Sequence, residues 1–390
     1  MPEPLSLEQV ALRELASLDA QRLLRVPRVL EGAQGPEVVV DGRAVVCLCS
    51  NNYLGLATHP ALARAASAAL AQVGFGACGA RHISGTMTLH KELEDRIAGF
   101  AGQERALFFA TGYGANLAVL QALCSRDTLV LSDELNHASL IDGCRLSRAQ
   151  AHVYRHADID HVEALLRLHR HQAESAIVVT ESLYSMDGDY APLRELRELC
   201  DEFNAALVVD EAHAIGAIGP RGRGLCALLG LVPDILMGSF GKALGASGAF
   251  LAAKAPVLQL IENRARSYVF STAPSPAVAA AALAAIELVE HSGDRRTRLK
   301  QHSLRLRAGL SELGYHVLPG DSHIIPVLLG QPGLASEFSQ ALLERGVFVH
   351  GIRPPTVPPG TSRLRIAAMA SHTPEHIDFA LEKFRELARR

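Results

Sequence analysis

Apolar residues recur at helical spacing from Leu5 to Leu24, with Leu12, Leu15, Ala16 and Leu23 on one stripe. An amphipathic helix is therefore expected there, ended by Pro27. Val38 to Cys49 reads as two short strands about Asp41-Gly42, a hairpin turn signal. Within it, Cys47 and Cys49 alternate with Val46 and Leu48, which puts both sulfurs on one face. From about Ala61 to Phe250 short apolar runs alternate with helical patterns. The runs are Ala106 to Phe109, Leu129 to Leu131, Ala176 to Thr180, Ala206 to Val209 and Ile235 to Gly238. Between them, Leu117 to Leu123, Ile159 to Leu168 and Leu193 to Phe203 read as helices. Doubly buried strands alternating with helices predict an α/β architecture, a mainly parallel sheet flanked by helices on both faces. Ligands of such sheets lie at the carboxyl ends of the strands, so the residues just after each run are the candidates for chemistry.

Beyond Thr272 the pattern changes. Ala277 to Glu290 and Arg298 to Leu313 read as long helices. A strand (Ile324 to Leu329), a helix (Ala335 to Glu344), a strand near Arg363 to Ala367 and a helix from Pro374 follow. This predicts a smaller C-terminal α+β domain. The expected division is an N-terminal helix and hairpin segment at residues 1–50, a large domain at 51–275 and a small domain at 276–390.

Composition narrows the classes. A formal net charge of −3 gives no reason to expect nucleic acid or an anionic membrane as partner, so an anionic substrate must be held by local cations. Met1 to Val10 has no basic segment leading into an apolar run, and the Ala-rich stretch Pro276 to Val289 is too short to span a bilayer. The seven cysteines have no metal-ligand spacing and read as buried thiols of a reducing, cytoplasmic compartment, with no metal site expected.

Five segments after strand ends could carry chemistry. Asp210 closes Val208-Val209-Asp210-Glu211-Ala212-His213 and is costly there unless it meets a cation, such as a protonated pyridine nitrogen. Taken alone, a helix N-cap explains it slightly better. Lys242 stands in Gly238-Ser239-Phe240-Gly241-Lys242-Ala243-Leu244-Gly245, where the apolar flanks suggest shelter. A desolvated lysine there could form an imine or act as a base. Thr111-Gly112-Tyr113-Gly114-Ala115-Asn116 would let backbone N–H groups meet an anion at a helix N-terminus, although a plain tight turn explains it better when read alone. It is neither a Walker loop nor a dinucleotide-binding glycine motif. His137, in Asn136-His137-Ala138-Ser139-Leu140, could lie over an aromatic ring. In Glu181-Ser-Leu-Tyr-Ser185-Met-Asp-Gly-Asp189, Ser185 could bond a ligand, while Asp187 and Asp189 read as turn formers.

The order of these segments (glycine loop, histidine, serine, Asp-x-x-His, Ser-x-x-Lys) resembles the fold-type I pyridoxal 5′-phosphate (PLP)-dependent transferases. Within them it resembles the α-oxoamine synthase family, and the likeness runs from Ser50-Asn-Asn-Tyr-Leu-Gly-Leu56 to Arg363-Leu-Arg365. It implies that residues 51–275 bind PLP and that Lys242 forms a Schiff base with it and later moves the α-proton of an amino acid. It further implies that Asp210 pairs with the ring nitrogen, His137 stacks on the ring, and His213 and Ser185 bond near the phenolic oxygen. The Gly112 and Tyr113 backbone and the Ser239 hydroxyl would hold the phosphate. Gly85-Thr86 would reach the phosphate of a neighbouring subunit, since members are homodimers with active sites at the interface. The implied reaction joins an amino acid to an acyl thioester, on CoA or an acyl carrier protein, with loss of CO2. Ile352-Arg353-Pro-Pro-Thr356 through Arg365, and Asn263 through Thr272, look most like the biotin-pathway branch, which uses L-alanine and a pimeloyl thioester. Arg363 or Arg353 would then grip the alanine carboxylate, Asn51 and Thr356 would contact substrate, and Arg25 would reach the pimeloyl end. Ala80 to Thr86 resembles branches using glycine or serine about as well. A non-catalytic subunit of the same fold is the rival of another class, against which the joint presence of Lys242, Asp210 and His137 argues.

Overall fold

Alternate residues of the apolar strands face opposite sides, and both sides are covered by helices. The computed structural model describes residues 4–388. It divides into two units, one of residues 51–185 and 189–298, the other of the described residues up to Ser50 with 186–188 and 299 onward.

The larger unit is built on a seven-stranded sheet in the order Arg105–Phe109, Ala249–Ala253, Ile235–Ser239, Ala206–Asp210, Ser175–Glu181, Thr128–Asp133, Gln150–Tyr154. The last five run parallel. Ala249–Ala253 is antiparallel to both its neighbours, with Ala249 opposite Phe109 on one side and Ser239 on the other. Val130, Ile177, Val179 and Val208 pack on one face against Ala115, Val119 and Leu258 of helices Gly112–Leu123 and Ala255–Arg264. Leu129, Leu131, Val178, Leu207 and Val209 face the other side and pack with Val162, Leu166, Leu193 and Leu196. The period of two in the strands against the helical period around them is what sorts these side chains into two cores.

One ion pair of this unit is enclosed on both sides. Arg81, in the π-helical turn Arg81–Gly85, pairs with Glu94 at 2.8 Å, both side chains being at most 4% exposed. Glu94 also accepts from Lys91 and from the Phe108 backbone N–H, and the Arg81 guanidinium lies 5.4 Å from the centre of the Tyr268 ring. Removing one partner of such a pair strands the other charge. Arg81→Ala is thus expected to lower unfolding stability by about 3–5 kcal/mol, whereas Lys91→Ala costs under about 1 kcal/mol. Chemical denaturation of both variants checks the contrast.

In the smaller unit the hairpin Glu37–Val40 and Arg43–Cys47 turns at Asp41 and Gly42, both at positive φ, as a two-residue turn requires. Val347–Phe348 adds to it in parallel, and Ile324–Gly330, Ser362–Ala367 and His350–Ile352 form a separate antiparallel sheet. The N-terminal helix spans Leu7–Ala20, closed at its start by a Ser6–Gln9 capping box. It ends well before Pro27, at a turn where Arg22 takes a positive φ, and buries none of its residues. All seven cysteines are unbonded. Cys78 is exposed, contrary to the expectation of uniformly buried thiols, because it sits in the irregular link after helix Pro60–Val73. The Cys47 thiol hydrogen-bonds that of Cys49, which pulls its pKa down to about 7. Among the described residues, no helix is long and apolar enough to cross a membrane.

Candidate active site

Strand ends, the turns after them and the helix starts that follow supply most side chains of one cleft. Gly112, Tyr113, Asn116, His137, Ser139, Glu181, Asp210, Ala212, His213, Met237, Ser239 and Lys242 line a space of ≈ 540 Å³ in the larger unit. That volume suits a cofactor-sized ligand.

Asp210 is the last residue of its strand and is 5% exposed. Asn116 Nδ2 donates to its Oδ2 at 2.7 Å and the Ala212 N–H to its Oδ1 at 2.8 Å, so the carboxylate is fixed from both sides. Asn116 Nδ2 also donates to Ser139 Oγ (2.9 Å), and that hydroxyl donates onward to His137 Nδ1 at 2.7 Å. The Ser139 N–H points at the same nitrogen. Nδ1 is therefore an acceptor, and burial lowers the pKa of His137, so the ring is neutral with its proton on Nε2.

A second chain of bonds leads away from Lys242. Its Nζ lies 2.9 Å from His213 Nε2, and His213 Nδ1 lies 2.7 Å from the Tyr53 hydroxyl. Tyr53 donates to Asn51 Oδ1 at 2.9 Å. The Tyr53 oxygen is then left to accept from His213 Nδ1–H, and Nε2 of the same ring accepts from Lys242.

The glycine loop closes over the helix start Gly112–Leu123. Thr111 caps it by accepting from the Gly114 N–H, and the N–H groups of the first turn carry the positive end of the helix dipole. A Cβ on Gly112 would come within 2.7 Å of Met237 Cε, so a larger residue there would have to push the Met237 side chain aside. Tyr113 turns outward, its hydroxyl bonded to Asp142. Ser239 Oγ, at the end of the strand Ile235–Ser239 two places along the sheet, accepts from the Gly241 N–H.

This donor set fits PLP. A fixed buried carboxylate, a lysine, a neutral histidine and a helix N-terminus beside a hydroxyl answer its ring nitrogen, aldehyde, ring face and phosphate respectively.

Seven residues singled out from the sequence, Gly112, Tyr113, His137, Asp210, His213, Ser239 and Lys242, share this lining. Asn51 joins it through Tyr53 and His213, while Ser185 lies on the loop after the strand Ser175–Glu181. Arg25, Arg353, Thr356 and Arg363 belong to the smaller unit. There Arg25 donates to Thr356 Oγ1 at 3.1 Å, and Arg353 donates to the backbone oxygens of Arg22 and Leu24. Arg363 is buried and donates to Asp187 Oδ1 at 2.6 Å, which makes Asp187 an ion-pair partner beyond a turn former. Asp189 likewise does more, since with Asp133 it brackets His156 at 2.7 and 2.9 Å. Burial opposes the charge on His156, but the two carboxylates outweigh it and raise its pKa to about 10. Thr86 bonds within its own turn, to the Arg81 backbone oxygen at 2.6 Å.

Sequence reasoning passed over Glu181, Asn116, Ser139 and Tyr53. Glu181 carried the same signal as Asp210, a carboxylate closing a buried strand. Tyr53 had none, being 160 residues from the ring it supports.

The aminotransferase class I and II family model matches residues 43–384. An 8-amino-7-oxononanoate synthase of Anaeromyxobacter dehalogenans (strain 2CP-1) is 50% identical over 367 residues, covering 94% of this chain and 92% of that one. A serine palmitoyltransferase variant from S. paucimobilis, with a bound PLP–myriocin aldimine, superposes with a TM-score of 0.92 at 32% identity, covering 97% of each chain. An 8-amino-7-oxononanoate synthase from Francisella tularensis superposes with a TM-score of 0.76 at 26% identity, covering 88% of this chain and 98% of that one.

Proposed function

The chain belongs to the aminotransferase class I and II family and, within it, to the 8-amino-7-oxononanoate synthases, and from that premise we propose that it joins L-alanine to a pimeloyl thioester. The products are 8-amino-7-oxononanoate, CO2 and the freed thiol carrier, CoA or an acyl carrier protein, in biotin synthesis. The observation that carries the chemistry is that Lys242 and Asp210 face one cleft with a helix N-terminus.

Bound PLP supplies an electron sink for the α-carbon when it loses a proton or CO2. Asp210, held by Asn116 and the Ala212 N–H, is placed to keep a proton on the ring nitrogen. Lys242 is the covalent holder and the base that moves the α-proton, and His213 accepts from its Nζ so that the amine stays aimed into the cleft. Neutral His137 gives a flat, uncharged face against which an aromatic ring can lie. The Gly112 and Tyr113 N–H groups and the Ser239 hydroxyl would hold the phosphate, and Ser185 would bond near the phenolic oxygen.

For the substrates we assign Arg363 or Arg353 to the amino acid carboxylate, Asn51 and Thr356 to substrate contact, and Arg25 to the far end of the acyl chain. We also propose a cytoplasmic homodimer, as the family likeness implies. The strong superposition on a serine palmitoyltransferase variant favours a second reading, serine with a longer acyl chain. A panel of alanine, glycine and serine against pimeloyl-, acetyl-, succinyl- and palmitoyl-CoA, scored by thiol release from the PLP-loaded enzyme, tests both. Alanine with pimeloyl-CoA is expected to turn over fastest. Faster release with glycine or serine overturns the assignment.

A further inference from the structure

Two carboxyl groups end adjacent strands of the sheet side by side. Glu181 and Asp210 are paired in register, are 2% and 5% exposed, and line the same cleft. They are furnished differently. Asp210 receives a hydrogen bond on each oxygen, whereas Glu181 is held by the His137 backbone N–H and leaves its buried Oε1 without a partner. Two enclosed like charges at this spacing cannot both persist, and the less solvated one takes the proton.

We propose that Glu181 is a positioning residue that stays a neutral acid, leaving Asp210 the single carboxylate at this end of the cleft and offering its uncommitted oxygen to the ligand bound there. That ligand is PLP, so this part of the proposal rests on the function given above.

Every charged group around Glu181 enters the balance. Burial and Asp210 on the adjacent strand push the proton on. Lys242 after the next strand and the His137 N–H pull it off, and Asp133 at the end of the strand on the other side pushes it on again; the pKa settles at about 8. Ionised, Glu181 would add a second negative charge beside a ligand whose phosphate is already anionic. Covering the cleft also removes water from Glu181, so ligand binding above neutral pH must draw in a proton.

The test has two arms. Infrared spectra of the full chain freed of PLP, at pH 7, are compared between wild type and Glu181→Gln. Glu211 also contributes a protonated carboxyl, its pKa being about 7, but it is present in both proteins and cancels in the difference. A protonated-carboxyl band in the wild-type-minus-variant spectrum is expected. In Asp210→Asn, with one charge gone, the same band is expected to titrate at lower pH. Calorimetry of PLP binding at pH 8 in buffers of different ionisation heat is expected to show more proton uptake in wild type than in Glu181→Gln. A missing band in the difference spectrum, a band whose titration ignores Asp210→Asn, or equal proton uptake overturns the proposal. Should PLP fail to bind at all, the proposed function falls while the infrared arm still decides whether Glu181 is a neutral acid.

Discussion

Lys242→Ala is expected to cut turnover by about 10²–10⁴-fold or more while leaving the protein folded. The side chain stands on the turn after the strand Ile235–Ser239 and is half-buried, with Nζ reaching into the cleft toward His213. Its removal opens space at a solvent-reachable site and creates no enclosed cavity, so unfolding stability should change by less than about 1 kcal/mol. The His213–Tyr53–Asn51 chain remains, and so do the Gly112 loop and Ser239, so on the proposed roles PLP would still bind without a covalent link. Borohydride reduction followed by mass analysis should attach PLP to Lys242 in wild type and to nothing in the variant. A variant retaining more than about a tenth of wild-type turnover would remove Lys242 from the chemistry.

Gly224→Ala is expected to be the most destabilising small substitution around the site, at about 4 kcal/mol or more. Gly224 has φ +93°, and a Cβ there would stand 1.4 Å from Glu211 Oε2. That carboxyl has nowhere to retreat. It is 0% exposed, and its other oxygen accepts from the Cys226 N–H at 2.6 Å. Because Glu211 directly follows Asp210, the displaced carboxyl also disturbs the anion at the cleft end. PLP affinity should therefore fall together with the melting temperature. Adding Glu211→Ala removes the clash and leaves only the backbone strain, so the double variant should recover part of the loss. A Gly224→Ala protein within about 1 kcal/mol of wild type contradicts this packing.

How much of this was legible in the sequence follows from where each signal lives. The five apolar runs became strands with ends within one or two residues of expectation, because doubly buried strands leave continuous Val, Ile and Leu. Gln150–Tyr154 escaped because it is an edge strand with mostly open faces, and Ala249–Ala253 because alanine carries no strand preference. Asp210 and Lys242 were readable because a polar group closing an apolar run is conspicuous. The bonds that give them their state, from Asn116, Ser139 and Tyr53, join residues up to 160 positions apart, and no local pattern encodes such distances. The N-terminal helix shows the converse. Its stripe of leucines was plain, yet nothing among the described residues covers it.

The reversed strand Ala249–Ala253 acts as a spacer of fixed width. Two strand separations, about 9–10 Å, set the gap between the strands ending at Phe109 and Ser239. The glycine loop follows the first of these and the lysine turn the second, so the reach from the helix start at Gly112 to the Lys242 turn is dictated by main-chain pairing. Side chains on either rim can then be exchanged to tune grip without changing the span. An enzyme engineer seeking a longer or shorter prosthetic group would have to insert or delete a strand, because no point substitution resets a lattice constant.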